Sequence, residues 1–267
     1  MAVKFLVRGI QAALALLLAA LAAALAGQWA AAAVLAVLLA LLPAGYYFYC
    51  LLRLRALAAR GPEAAADFVF GTGAWLAGAL QHREEILPFI KSFPEPPRAV
   101  AEIGRAQGGT LALLCSAAAP DALVISLDLP GGAFSGELSS FNKAFWRRPL
   151  LRAMKGPGRR LELIDGDSRS PESLRRFAEA LGGRRLDLLF IDGDHSYDGV
   201  KADFERYSGF VRPGGVIAFH DIQPCAARPG VEVSRFWRDY QLPGTRAEYV
   251  KDRAQDGMGI GAVRLPG

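Results

Sequence analysis

From Arg98 onward, short apolar runs of strand length alternate with stretches of helix length, and this alternation constrains the fold more than any other feature. The runs fall at 99–103, 123–128, 161–164, 186–192 and 216–220. Helices are predicted between them over about 109–119, 171–181 and 199–210. Apolar runs separated by helical segments give a parallel sheet with helices on both faces. The expected fold is therefore α/β, a Rossmann-like, doubly wound and mostly parallel sheet. Residues 247–250 and 260–265 are expected to add a closing hairpin.

A different pattern precedes this domain. Residues 10–26 are almost entirely Ala and Leu, with one Gln, and residues 29–52 are apolar apart from Pro43 and Gly45. Each stretch approaches the roughly 20 residues that span a hydrocarbon core. The cluster Tyr46, Tyr47, Phe48 and Tyr49 then precedes Arg53, as rings followed by cations do at a membrane–water interface. Positive charge lies before the first stretch and after the second. The expectation is a transmembrane helical hairpin in the cell membrane, multi-pass, with the catalytic domain cytoplasmic. A cleaved signal ending near Ala24-Leu25-Ala26 competes for the first stretch. A soluble helical hairpin should show a polar face, which neither stretch does. The expected organisation is a membrane anchor with two transmembrane helices over 1–60, a linker and N-terminal helix over 61–97, and the catalytic domain over 98–267.

The net charge is +5, but Lys4, Arg8, Arg53, Arg55 and Arg60 account for all of it. Residues 61–267 are neutral as a whole, which argues against nucleic acid as a partner. The cysteines, Cys50, Cys115 and Cys225, form no C-x-x-C pair, so neither a disulfide framework nor a structural zinc site is expected.

Chemistry is expected at the strand ends. The run Phe190-Ile191-Asp192-Gly193-Asp194-His195-Ser196-Tyr197 ends one strand. Arg212-Pro213-Gly214-Gly215 leads into another, which ends at Phe219-His220-Asp221-Ile222. Acids and imidazoles on one sheet edge can hold a metal or move a proton, and that edge is where α/β folds bind ligands. Glu102-Ile103-Gly104-Arg105-Ala106-Gln107-Gly108-Gly109 joins the first strand to its helix, where glycines let a ligand approach the backbone. Asp128, ending the second strand, can accept from ribose hydroxyls, a geometry shared by nicotinamide and adenosyl cofactors. Phe70-Gly71-Thr72-Gly73-Ala74 reads as a loop. A helix is predicted over 75–93 with Gln81, Arg83, Glu84 and Glu85 exposed. Residues 131–158 read as a substrate lid or a packed excursion.

Taken together, Glu102-Ile103-Gly104 with Gly108-Gly109, Asp128, Gly166-Asp167-Ser168, the 192–197 run and Arg212-Pro213-Gly214-Gly215 leading to His220-Asp221 resemble the class I S-adenosylmethionine-dependent methyltransferases. The similarity is to the family-24 group, which contains macrolide sugar O-methyltransferases and the cephalosporin-biosynthesis protein once called a hydroxylase. It covers about half the chain and leaves out the apolar start. The resemblance implies S-adenosylmethionine as cofactor, with Glu102, Gly104 and Gly108 around its methionine end. It also implies Asp128 at the ribose, Asp167 and Ser168 at the adenine, and His195 as the catalytic base. A divalent metal would be held by Asp192, His220 and Asp221. Two departures stand out. Ala106 replaces the commoner middle glycine. His220 replaces an acid, so it is a ligand, an orienting group or a second base. The implied acceptor is a hydroxyl on a sugar, glycan or related small molecule; a homo-oligomer is compatible. A catalytically silent membrane adaptor and a nicotinamide-dependent oxidoreductase are the competing readings.

Overall fold

The computed structural model describes residues 15–129 and 145–267. Helix α1, Ala15–Leu25, precedes a long α2, Trp29–Leu57. Next come α3 (Pro62–Asp67), a π-helical turn (Phe68–Thr72), α4 (Ala74–Ala77) and α5 (Arg83–Lys91). The remaining helices are α6 (Gly109–Ala117), α7 (Arg147–Met154), α8 (Pro171–Leu181), α9 (Tyr197–Tyr207) and α10 (Val233–Asp239). The strands are β1 (Ala99–Ile103), β2 (Leu123–Asp128), β3 (Arg160–Asp165), β4 (Leu186–Ile191), β5 (Val211–His220), β6 (Thr245–Tyr249) and β7 (Ile260–Arg264).

These strands form one sheet in the order β3-β2-β1-β4-β5-β7-β6. β1 to β5 run parallel, and β7 enters antiparallel between β5 and β6. The expected mostly parallel, doubly wound sheet and its closing hairpin are both present. The winding reverses between β1 and β4, which leaves a crevice beyond their carboxyl ends. Arg212-Pro213-Gly214-Gly215 is not a turn ahead of β5 but an irregularity within it, where the pairing with β4 shifts between Leu186 and Leu188. Gly214 takes φ +70 there.

The sheet is buried on both faces by side chains that alternate along each strand. One layer joins Val100, Val124, Leu188 and Phe190 to Leu111 of α6, Phe89 of α5 and Leu54 and Leu57 of α2. The other joins Ile103, Ile125, Ile191 and Phe219 to Phe177 of α8, Phe204 of α9 and Trp237 of α10. The last turns of α2 therefore belong to the core: Cys50, Leu54 and Leu57 are all 2% exposed or less.

Of the two expected spans, α2 alone among the described residues is long and apolar enough to cross a membrane, with mean hydropathy 2.0 over its best window. α1 is shorter, and residues 10–14 of the first expected span lie outside the described residues. A multi-pass anchor is thus not supported. The expected helix over 75–93 is two helices: α4 ends before Gly78, and α5 begins after His82 and holds Pro88 within it. Half of the expected lid falls outside the described residues, and its C-terminal half holds α7.

Candidate active site

A cavity of about 330 Å³ opens beyond the carboxyl ends of β1, β2, β4 and β5. This size suits a small-molecule site. Its floor is the turn after β1. Gly104 takes φ +89, and a Cβ on it would collide with the Asp192 carbonyl. Only glycine allows the ends of β1 and β4 to approach this closely; the Asp192 N–H donates to Ile103 C=O at 2.7 Å. Ala106 adopts φ +44, left-handed backbone that glycine takes without strain. Alanine holds this left-handed position at a steric cost that glycine would avoid.

The two glycines that end the turn do other work. Gly108 takes φ +87 and starts α6, facing Leu151 and Met154. A Cβ on Gly109 would strike the backbone of Gly78 and Ala79, so α6 packs directly on the segment between α4 and α5. Gly108 does not line the cavity. Nor does Glu102, whose side chain points into the layer beneath α6 and is fully buried. It accepts from Ser126 Oγ at 2.9 Å, and its other oxygen has no partner. Burial pushes its pKa up to about 8, so it is largely protonated at neutral pH. Both were expected around the methionine end of a cofactor; the structure places them behind the cavity wall.

Asp128, Asp167 and Ser168 do line the cavity. Asp128 accepts the Arg105 N–H at 2.9 Å, which fixes its carboxylate against the turn. Asp167 accepts the Arg169 N–H at 2.8 Å, and this bond with the Arg169 side chain holds its pKa below the ordinary carboxylate value. Ser170 then caps α8 by accepting the Ser173 N–H, ahead of Pro171. Asp194 also lines the cavity, but its carboxylate accepts from Ser196 N–H and Oγ, and Ser196 caps α9. Asp194 thus holds the residue that caps α9.

His195, His220, Asp192 and Asp221 meet at the tips of β4 and β5. His195 Nδ1 lies 2.8 Å from Asp221 Oδ2, and its Nε2 lies 4.0 Å from Asp192 Oδ1. Asp221 is 1% exposed, takes φ +61, and accepts the Met258 N–H at 3.0 Å. Burial alone would raise its pKa, but His220 and His195 outweigh that and hold it far below the usual range. With Nδ1–H donated to this carboxylate, His195 presents the lone pair of Nε2 on the Asp192 side.

Asp192, His220 and Asp221, the expected metal set, are brought together, with His220 Nδ1 3.1 Å from Asp192 Oδ1 and 3.6 Å from Asp221 Oδ1, and His195 joins them. The donor atoms lying within 4.8 Å of one another are those of Asp192, His195 and Asp221. Burial disfavours the charge of His220, yet the Asp192 and Asp221 carboxylates prevail and raise its pKa to about 9. In this arrangement His220 is a charge partner and orienting group for Asp192.

Sequence reasoning missed three supporting residues. Gln81, expected on an exposed helix face, is 4% exposed and lines the cavity. It donates to Asp192 Oδ2 at 2.7 Å and accepts from Thr110 Oγ1 at 2.5 Å. Glu85, also expected exposed, is fully buried and accepts from Lys251 N–H, Gln255 Nε2 and Gly259 N–H. It thereby anchors the loop that presents Met258 to Asp221. Arg105 is 5% exposed and reaches Asp165 Oδ1 at 2.6 Å, clamping the turn after β1 to the end of β3. The break at Gly78 was the one sequence signal that could have relocated Gln81, because it ends the helical register that placed it outside.

The family model described as a methyltransferase domain matches residues 101–222. An uncharacterized protein of Acanthamoeba polyphaga mimivirus is 48% identical over 46 residues, 17% of this chain and 21% of that protein. An uncharacterized protein of Sinorhizobium fredii is 37% identical over 68 residues, 24% of this chain and 7% of its own length. The matched segments thus span 21% and 7% of these relatives' length. Among solved structures, the O-methyltransferase from Bacillus cereus in complex with SAH is 21% identical, with 63% of this chain and 74% of that one covered and a TM-score of 0.44. The O-methyltransferase TomG from Streptomyces achromogenes, involved in tomaymycin synthesis and solved with SAM, is 16% identical, with 77% and 89% covered and a TM-score of 0.49.

Proposed function

Because a methyltransferase-domain family model matches residues 101–222, we propose that the chain is a class I S-adenosylmethionine-dependent methyltransferase that methylates an acceptor hydroxyl with His195 as the base. The observation that carries this reading is the His195–Asp221 pair on the wall of the cavity that Gly104 and Asp128 also line. Asp128 would hold the ribose, the turn at Gly104 to Ala106 the methionine end, and Asp167 with Ser168 the adenine. The bound cofactor supplies an electrophilic methyl on a sulfonium.

The remaining work falls to the chain. A hydroxyl is a poor nucleophile until its proton leaves. Asp221 fixes the tautomer and orientation of His195 and stabilises the imidazolium that forms. The acceptor proton would pass to His195 Nε2, leaving the acceptor oxygen able to take the methyl group that the bound cofactor would supply. Gln81 and His220 keep the Asp192 carboxylate in place beside this path. Alignment of acceptor and methyl supplies the rest of the acceleration.

The convergence of Asp192, His195 and Asp221 favours a second reading, in which a divalent cation held there would lower the acceptor pKa. α2 would anchor the domain as a single span, with Arg53, Arg55 and Arg60 on the cytoplasmic side where the cofactor is made. Transfer of a labelled methyl group from S-adenosylmethionine, lost in His195→Ala, tests the proposal. Transfer that survives this substitution would remove His195 as the base.

A further inference from the structure

The direction in which α2 crosses the domain is fixed by contacts at both of its ends. At the cavity edge, Tyr47 Oη donates to Trp146 C=O at 2.9 Å and Tyr46 Oη to Thr72 C=O at 2.7 Å. The Tyr46 and Trp75 rings lie 6.1 Å apart. Arg147, next to Trp146, donates to Leu76 C=O and to Gln107 C=O in the turn that floors the cavity. Twelve residues later the helix has reached the opposite edge. There a Cβ on Gly156 would press on Ala58, and Gly158 abuts the Pro120 carbonyl in the turn that precedes β2. The chain therefore enters the domain at the cavity edge.

Residues 29–45 must project outward from that same edge. At 1.5 Å per residue they rise about 25 Å, close to the ~30 Å thickness of a hydrocarbon core. Their Val34, Val37, Leu38, Leu41 and Leu42 are exposed. The edge from which they leave carries further exposed apolar groups: Trp75 at 67%, Leu80 at 54% and Phe145 at 89%. Leu80 also lines the cavity. An exposed apolar rim continuous with a membrane-spanning helix marks contact with lipid. The cavity mouth would then sit at the headgroup layer.

We infer that the acceptor is a membrane-resident amphiphile that presents its hydroxyl from the headgroup layer to His195, an inference that rests on the methyltransferase reading above. A water-soluble sugar would gain nothing from a mouth held against the bilayer. The opposite edge, where Asp121 is exposed, faces away from the membrane.

The test uses the full chain in phosphatidylcholine vesicles containing headgroup spin-labelled phosphatidylcholine. A fluorophore is placed at Leu80→Cys or at Asp121→Cys, both exposed positions, and the unsubstituted protein corrects for the buried native thiols. Quenching at position 80 is expected to exceed that at 121 severalfold; equal or reversed quenching would overturn the inference. In parallel, the protein receives methyl-labelled S-adenosylmethionine with either membrane or soluble extract. Label in the chloroform-soluble fraction is expected. Label in water-soluble acceptors alone would overturn the lipid assignment while leaving the methyltransferase reading intact. No transfer into either fraction would overturn the catalytic reading on which the inference stands.

Discussion

His195 Nδ1 sits 2.8 Å from Asp221 Oδ2 although the two residues lie in the loops after different strands. The pairing holds the imidazole in one tautomer and assigns its two nitrogens different tasks. Asp221→Asn keeps the acceptor for Met258 N–H and tolerates left-handed backbone, but it removes the charge that stabilises the imidazolium. His195→Ala is expected to lower turnover by about 100- to 10,000-fold, and Asp221→Asn by about 100-fold or more. S-adenosylhomocysteine binding should remain within a few-fold in both. Steady-state kinetics beside binding titrations check the split between turnover and affinity.

Gly104 and Ala106 make a matched pair of tests in one loop. Gly104→Ala places a methyl group on the Asp192 carbonyl and is expected to cost about 1–3 kcal/mol or more, with cofactor binding lost. Ala106→Gly relieves left-handed strain of roughly 1–2 kcal/mol but gives back part of it in chain entropy. A small net stabilisation with intact binding is expected. Urea unfolding of both variants measures the contrast.

Glu102 gives the fold a pH dependence. Its folded pKa of about 8 lies well above the ordinary value for a glutamate, so the folded state keeps a proton that the unfolded state releases. Stability therefore falls as pH rises between these values, by about 1.4 kcal/mol per unit. Glu102→Gln removes this slope. Melting temperatures from pH 5 to 8 should decline in the native chain and decline less steeply in the variant, where His220 and Asp203 still contribute.

Gln81→Leu leaves Thr110 and Asp192 without their shared partner in a buried setting. A loss of about 1–3 kcal/mol is expected, together with a fall in turnover that Gln81→Ala reproduces. Thermal unfolding and kinetics check both.

Chelation separates the two roles available to His195. With His195 as a proton acceptor, EDTA leaves methyl transfer unchanged. A loss of tenfold or more that an added divalent ion restores would assign Asp192, His195 and Asp221 to a cation instead.

The sheet was legible because each strand is a short apolar run closed by a polar residue, and the strand-end acids followed from that register. The closing hairpin was legible from its spacing alone. Less visible were the partners that chain separation hides. Gln81 and Glu85 look exposed by helical period, yet a break at Gly78 turns them inward against β4 and the loop at 251–259. The apolar start gave composition but not its end point, since nothing in the sequence told that Cys50, Leu54 and Leu57 pack beneath the sheet. His220 was placed at the right strand tip, but its charge depends on two carboxylates that only the folded chain brings together.

The central claim is that the cavity beyond β1 and β4 takes an adenosyl cofactor. Calorimetric titration of the full-length protein with S-adenosylhomocysteine and with NAD tests it most directly. Saturable one-to-one binding of S-adenosylhomocysteine, absent in Gly104→Ala, is predicted. Tight binding of NAD with no heat from S-adenosylhomocysteine would contradict it.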